Sequence, residues 1–358
     1  MSQEFVPPLP DVQNVVSSQA WLLHQIDDRY ASYLEMNESS FAASPFLDQR
    51  VVPAPQARQY KVDIAEILAS SRWRTASPRY PTRYILHISH VGSTLVSRAL
   101  GVAPTCLALR EPLPLRHLTQ RYLELQEPDS WLSADAFMQL ADFTMRSLGR
   151  PLGRHEDVVI KCTSWVNALA PLFLSPQFGG RHRVVAVYSS LDNFVANTLK
   201  SVGGRRDVES QAQSRVRRLS ALLPTQFRLY ELDTGEIAAM SWLCEMLSIQ
   251  RACAEQGVDL RWLDFDQYLQ DPLSETAALA QHLALPWMEE TAAALAESGI
   301  LTRYAKRQQD IPFSRSSRDD LLQQFKRDHP GLVASANRWI DRQFAQHPEL
   351  FAALGSFR

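Results

Sequence analysis

A doubly wound α/β core, a parallel sheet with helices on both faces, is the architecture this 358-residue sequence predicts. Three observations carry it. Five short runs rich in β-forming residues recur between Tyr84 and Leu263, each followed by a stretch of helical periodicity. The runs are almost continuously apolar rather than alternating, as strands are when helices bury both faces of a parallel sheet. Asp233 and Glu236 also form a capping box ahead of a long periodic segment that stops just before Gly257. In such sheets ligands bind beyond the carboxyl ends of the strands, so the residues following each run are the chemical candidates.

Taken in order, the first eighty residues differ from the rest. After a Pro-rich start, Trp21, Leu22, Ile26, Tyr30, Tyr33 and Leu34 recur at roughly helical spacing and predict one amphipathic helix. A loose stretch with Pro45, Pro53 and Pro55 follows, then a short helix around residues 63–69, and Pro78 and Pro81 close the segment. The core strands are expected at 84–89, 105–109, 157–162, 182–188 and 259–263. This divides the chain into a mostly helical N-terminal lobe over 1–82, an α/β core over 83–310 and a helical C-terminal extension over 311–358.

Composition narrows the chemistry. Lys and Arg number 37 against 39 Asp and Glu, a formal charge of −2. A dedicated nucleic-acid binder shows a basic excess that this chain lacks. No apolar run reaches the ~18 residues of a membrane span. The start has no basic region ahead of an apolar stretch, so a cytoplasmic location is expected. Cys106, Cys162, Cys244 and Cys253 show no Cys-x-x-Cys spacing and read as reduced, buried residues. No His/Cys/Asp cluster has metal-ligand spacing and no Gly-x-Ser-x-Gly elbow occurs, so neither a metal centre nor a serine hydrolase is expected. The arginine-rich run from Arg205 to Arg218 reads mostly as a solvated helix face.

The first core strand runs into Ser89-His90-Val91-Gly92-Ser93-Thr94-Leu95 and then directly into a helix. Unpaired amides and the helix dipole favour an oxyanion at that start, Gly92 permits close backbone approach, and Ser93 and Thr94 add hydroxyl donors. The same residues also suit an ordinary turn in which Ser93 or Thr94 caps the helix. The loop lacks the first glycine and the lysine of a Walker A sequence, which disfavours an ATPase or GTPase.

These residues resemble the 5′-phosphosulfate loop of sulfotransferases, with His90 where that family has Arg or Lys and Val91 where it usually has Ser. Further segments match in order. Arg110-Glu111-Pro112 resembles the acidic segment of tyrosylprotein-type members, and Val159-Ile160-Lys161 the strand-ending lysine. Residues 263–269, with Asp271-Pro272 and residues 282–285, resemble the family's late segment. The resemblance spans about residues 83–310 and implies a P-loop-like fold and a sulfuryl transfer from 3′-phosphoadenosine 5′-phosphosulfate to a small-molecule or peptide acceptor.

It further implies roles. Glu111 becomes the general base, Lys161 and His90 the groups that offset charge on the transferring group and the leaving phosphate, and residues His90 to Leu95 the phosphate cradle. Read without the resemblance, Glu111 could instead pair with Arg110 or cap the next helix, and Lys161 could snorkel to solvent. His87, two residues before Ser89, reads as a packed core histidine. For the donor's 3′-phosphate, Ser189 and Asn197 stand where the family has Arg and Ser; neither brings charge. Lys306 and Arg307 are the first compensating candidates, followed by Arg315, Arg318 and the group Lys200, Arg205 and Arg206. Two alternatives follow from these departures: a transferase using another phosphorylated donor such as ATP, with Asp264 or Asp266 for a metal, and a binding protein that kept the fold without catalysis.

Overall fold

The computed structural model describes residues 12, 15, 18–71, 73, 79–153, 155–305 and 312–358. Its centre is a five-stranded, wholly parallel sheet of β4 (Arg83–His87), β5 (Cys106–Arg110), β6 (Asp157–Lys161), β7 (Arg183–Tyr188) and β8 (Asp259–Asp264), in the order β5-β6-β4-β7-β8. All five strands fall where the sequence places them. Ile85, Leu86, Val159, Ile160 and the run Val184–Val187 are fully buried, because helices cover both faces. Each such side chain contributes about 1.5–3 kcal/mol by leaving water. Successive strands leave β4 on opposite sides, so the crevice at its carboxyl end lies at the switch in strand order.

The N-terminal segment corrects the sequence reading. Residues 21–35 form a hairpin, not a helix: β1 (Trp21–Ile26) pairs antiparallel with β2 (Tyr30–Glu35), which pairs with β3 (Gln59–Asp63). The Asp27 carboxylate accepts from the amides of Arg29 and Tyr30 and builds the turn. The apparent helical period arises because both faces of the hairpin carry buried side chains, Trp21, Leu22, Leu23 and Ile26 against Ala31, Tyr33 and Leu34. The short helix expected around 63–69 is present as Ile64–Ala69, and Asp63 caps it.

The Thr234–Glu255 helix carries the anticipated capping box between Asp233 and Glu236, and Gly257 adopts φ +60° just past its end. It packs between the helices Val202–Leu222 and Pro330–Gln346. The arginine run is only partly the solvated face the sequence suggests. Arg215 is buried and Arg218 nearly so, because Glu245, itself buried, accepts from Arg215 Nε at 2.9 Å and Arg218 Nη2 at 2.7 Å. All four cysteines are free and buried. Among the described residues no helix is long and apolar enough to cross a membrane.

Candidate functional site

Three of the five residues leading from β4 into the Ser93–Leu100 helix have left-handed backbone: Ser89 (φ +76°), His90 (φ +50°) and Gly92 (φ +75°). Such a run in non-glycine residues stores strain and persists only where the surroundings fix it. Three contacts do so here. The Ser89 amide donates to His87 Nδ1 at 2.9 Å, and with that nitrogen accepting, His87 Nε2–H donates to the Cys162 carbonyl at 2.9 Å. His87 is thus the packed core histidine the sequence suggests. Asn197 Nδ2 donates to the His90 carbonyl. At Gly92 a Cβ would lie 2.0 Å from Phe265 Cζ, so glycine is required by both space and φ.

Gly92 is the helix N-cap, and no side chain caps it, so Ser93 and Thr94 do not play the ordinary capping role. The Thr94 Oγ1 is buried without a hydrogen-bond partner among the described residues. An unpaired hydroxyl beside the free amides of a helix start suits an oxyanion.

Glu111 directly follows β5 and Lys161 ends β6, where Arg110 and Lys161 are partners in the parallel register. Their side chains form an ion pair, with Lys161 1% and Glu111 12% exposed. Lys161 therefore does not snorkel to solvent. Nor does Glu111 pair with Arg110, whose buried guanidinium donates to the carbonyls of Phe41 (2.6 Å) and Ser44 (2.8 Å). Burial, reinforced by Arg98, brings the Arg110 pKa down to about 10. Glu111 has φ +54°, an uncommon backbone for a non-glycine, and its amide donates to the Lys161 carbonyl at 2.7 Å.

The second oxygen of Glu111 accepts from Arg50 Nη2 at 3.1 Å. Arg50 also grips the buried Asp48 through Nε (2.9 Å) and Nη2 (2.6 Å) and stacks over the Phe46 ring at 3.5 Å. Burial works to raise the Asp48 carboxyl and lower the Arg50 guanidinium, but their mutual hydrogen bonds prevail and keep both ionised. These groups, with His90, Arg116 and Asp207, line a pocket of about 420 Å³. The lining is predominantly charged and polar.

Asp207, from the Val202–Leu222 helix, forms the far wall. It accepts from Ser89 Oγ at 3.1 Å, lies 3.7 Å from His90 Nε2 and 3.6 Å from Arg215 Nη2. Burial would raise its pKa, but the nearby His90, the Arg215 charge and the Ser89 hydroxyl outweigh it and hold the carboxyl at about 2.

On the other side of His90 lies a cleft of about 530 Å³, walled by Gly92, Thr94 and Leu95 of the loop, Asn197, and the rings of Phe265, Tyr304 and Phe313. Lys200 and Arg318 also face it. Arg318 pairs with Asp266, whereas Lys200 has no acidic partner among the described residues. Burial, with Arg318 nearby, lowers the Lys200 pKa.

Of the expected site residues, the structure thus gathers His90, Gly92, Thr94, Leu95 and Asn197 at one cleft and His90 and Glu111 at the other, with the buried Lys161 paired to Glu111 behind the wall. Val91 and Ser93 are buried beneath the loop, and Ser189 is 1% exposed, its carbonyl accepting from Trp242 Nε1 at 3.1 Å. Lys306 and Arg307 lie outside the described residues. Arg315 pairs with Asp319 on the surface, and Arg205 and Arg206 are exposed. Sequence reasoning missed Asp48, Arg50, Arg116 and Asp207, which reach the site from a loop and two helices.

Among the described residues no group of His, Cys, Asp and Glu could hold a metal ion. No family model and no curated protein matches the chain. Similar solved structures are the sulfotransferase domain from the curacin biosynthetic pathway (12% identity, 70% of this chain and 98% of that one, TM-score 0.39), sulfotransferase STF9 from Mycobacterium avium (13%, 74% and 80%, 0.38), and the sulfotransferase domain from the Synechococcus olefin synthase (12%, 70% and 95%, 0.36).

Proposed function

We propose that this chain transfers a sulfuryl group from 3′-phosphoadenosine 5′-phosphosulfate to a hydroxyl or amine acceptor. The observation that carries the reading is the Glu111–Lys161 pair at the ends of two adjacent parallel strands, in a pocket that meets the loop cleft at His90. The donor supplies an activated sulfuryl group on a phosphosulfate anhydride. The Glu111 carboxylate accepts the acceptor's proton as its oxygen or nitrogen bonds to sulfur. Lys161, held by the same carboxylate, offsets negative charge on the transferring group. His90 and the amides at the helix start do the same for the leaving phosphate as its bond to sulfur breaks. The unpaired Thr94 hydroxyl fits a phosphate at the loop, and Lys200 is a cation at the same cleft suited to a second phosphate.

Calorimetry with 3′-phosphoadenosine 5′-phosphate against ADP tests the donor. At least about tenfold tighter binding of the bisphosphate is expected, the gain of one charge-assisted contact. Equal binding would overturn this donor and favour a transferase using ATP, the reading to which the buried, uncharged Ser189 points.

A further inference from the structure

At the mouth of the pocket above Glu111 two guanidinium groups face an entering molecule, while Asp207, 33% exposed, stands on the far wall. Asp48 is 2% and Glu111 12% exposed, whereas Arg50 and Arg116 are 52% and 35% exposed. The anions are already matched: Glu111 by Lys161, and Asp207 by Arg215. At the mouth, however, two arginines share the single carboxylate of Asp48, leaving one positive charge in excess.

Their donors are also underused. A guanidinium carries five N–H donors. Arg50 spends Nε and Nη2 on Asp48 and Glu111, and among the described residues its Nη1 has no acceptor. Arg116 makes no hydrogen bond among the described residues, only a 3.6 Å approach from Nη1 to Asp48 Oδ2. The Phe46 ring beneath Arg50 fixes the plane of its guanidinium, so the free edge is pre-oriented. The Nη2 that touches Asp48 also touches Glu111, so this edge adjoins the carboxylate across one side chain.

We propose that the acceptor carries an anionic group, a carboxylate, sulfate or phosphate, that docks on Arg50 and Arg116 and directs its hydroxyl toward Glu111. This rests on the sulfuryl-transfer reading. An oxyanion can accept from the free Nη1 of Arg50 and from the Arg116 guanidinium, charge-assisted contacts that supply orientation as well as affinity. The pocket volume of about 420 Å³ suits a compact molecule.

The test compares 4-hydroxyphenylacetate with its neutral amide. Binding is measured by calorimetry on protein saturated with 3′-phosphoadenosine 5′-phosphate, and turnover by mass spectrometry of the sulfated product. The carboxylate is expected to bind at least about tenfold tighter, and the preference to fall toward unity in Arg116→Met. Inorganic sulfate should compete with the carboxylate on the saturated wild-type protein, which checks the site without a substitution. Equal binding of the two probes, undetectable binding included, or a preference unchanged in Arg116→Met would overturn the proposal. A carboxylate preference in binding without sulfated product from either probe would instead sustain the anion site and remove the transfer reading.

Discussion

Asp207 accepts a hydrogen bond from the Ser89 hydroxyl at 3.1 Å across 118 residues of sequence, and so ties the N-terminal part of the Val202–Leu222 helix to the strained turn that follows the central strand. The same carboxylate faces His90 and Arg215, so one side chain holds two left-handed residues in place.

That tie is acid-sensitive. The folded carboxyl titrates at about 2, below its ordinary 3.8. A depressed pKa contributes stability that is complete above the ordinary value and lost as pH falls from there through about 2. Asp207→Asn should therefore flatten the fall in urea midpoint below pH 4. An acid limb as steep in the variant as in the wild type would show that other carboxylates govern it.

Replacing Glu111 by Gln keeps the shape and removes the proton acceptor. Turnover in a single-turnover assay should fall by about 10²-fold or more, with far less change in bisphosphate affinity, since general-base catalysis contributes on that scale. Equal losses in both would mark Glu111 as a structural group.

Lys161→Met leaves the Glu111 carboxylate with Arg50 alone. Breaking a buried pair in this way costs on the order of 3 kcal/mol. Urea denaturation should show this loss and a smaller one in the Lys161→Met, Glu111→Gln double variant, because the two residues are in contact. Strict additivity would mean that the pair contributes nothing to stability.

Gly92→Ala introduces a Cβ both into the Phe265 ring and at φ +75°. A loss of about 1–3 kcal/mol is expected from strain and overpacking together. Phe265→Ala in the same chain relieves only the overlap, so thermal melts should recover part of the difference. Full recovery would show that the backbone angle costs nothing.

How much of this was legible in the sequence follows from where each residue lies. The core strands could be read because burial on both faces makes them continuous apolar runs, and Glu111 and Lys161 because a charge at the end of such a run must leave at the sheet's rim. The β1–β2 hairpin could not. Its turn is Asp27-Asp28-Arg29 with none of the Asn-Gly chemistry that marks hairpins, and its register slips between Leu23 and Gln25. Arg50 and Asp207 had no local signal either: one stands in a Pro-bounded loop, the other inside an arginine run that reads as surface. Only the threading of residues 41–52 over β5 brings Arg50 within 3.1 Å of Glu111.

That threading has a consequence for dissection of the chain. The Leu47 amide donates to the Arg110 carbonyl at 2.7 Å and the Leu47 carbonyl accepts from Leu113, while the Arg110 guanidinium takes acceptors from Phe41 and Ser44. The first segment is therefore not a detachable cover. Cutting the chain before Arg83 would strand a buried guanidinium without its main acceptors, unseal the edge at β5 and take away Phe46, Asp48 and Arg50 together. A shortened version would forfeit foldedness and one wall of the charged pocket in a single stroke, so the minimal folded unit reaches well upstream of the sheet that gives the fold its class.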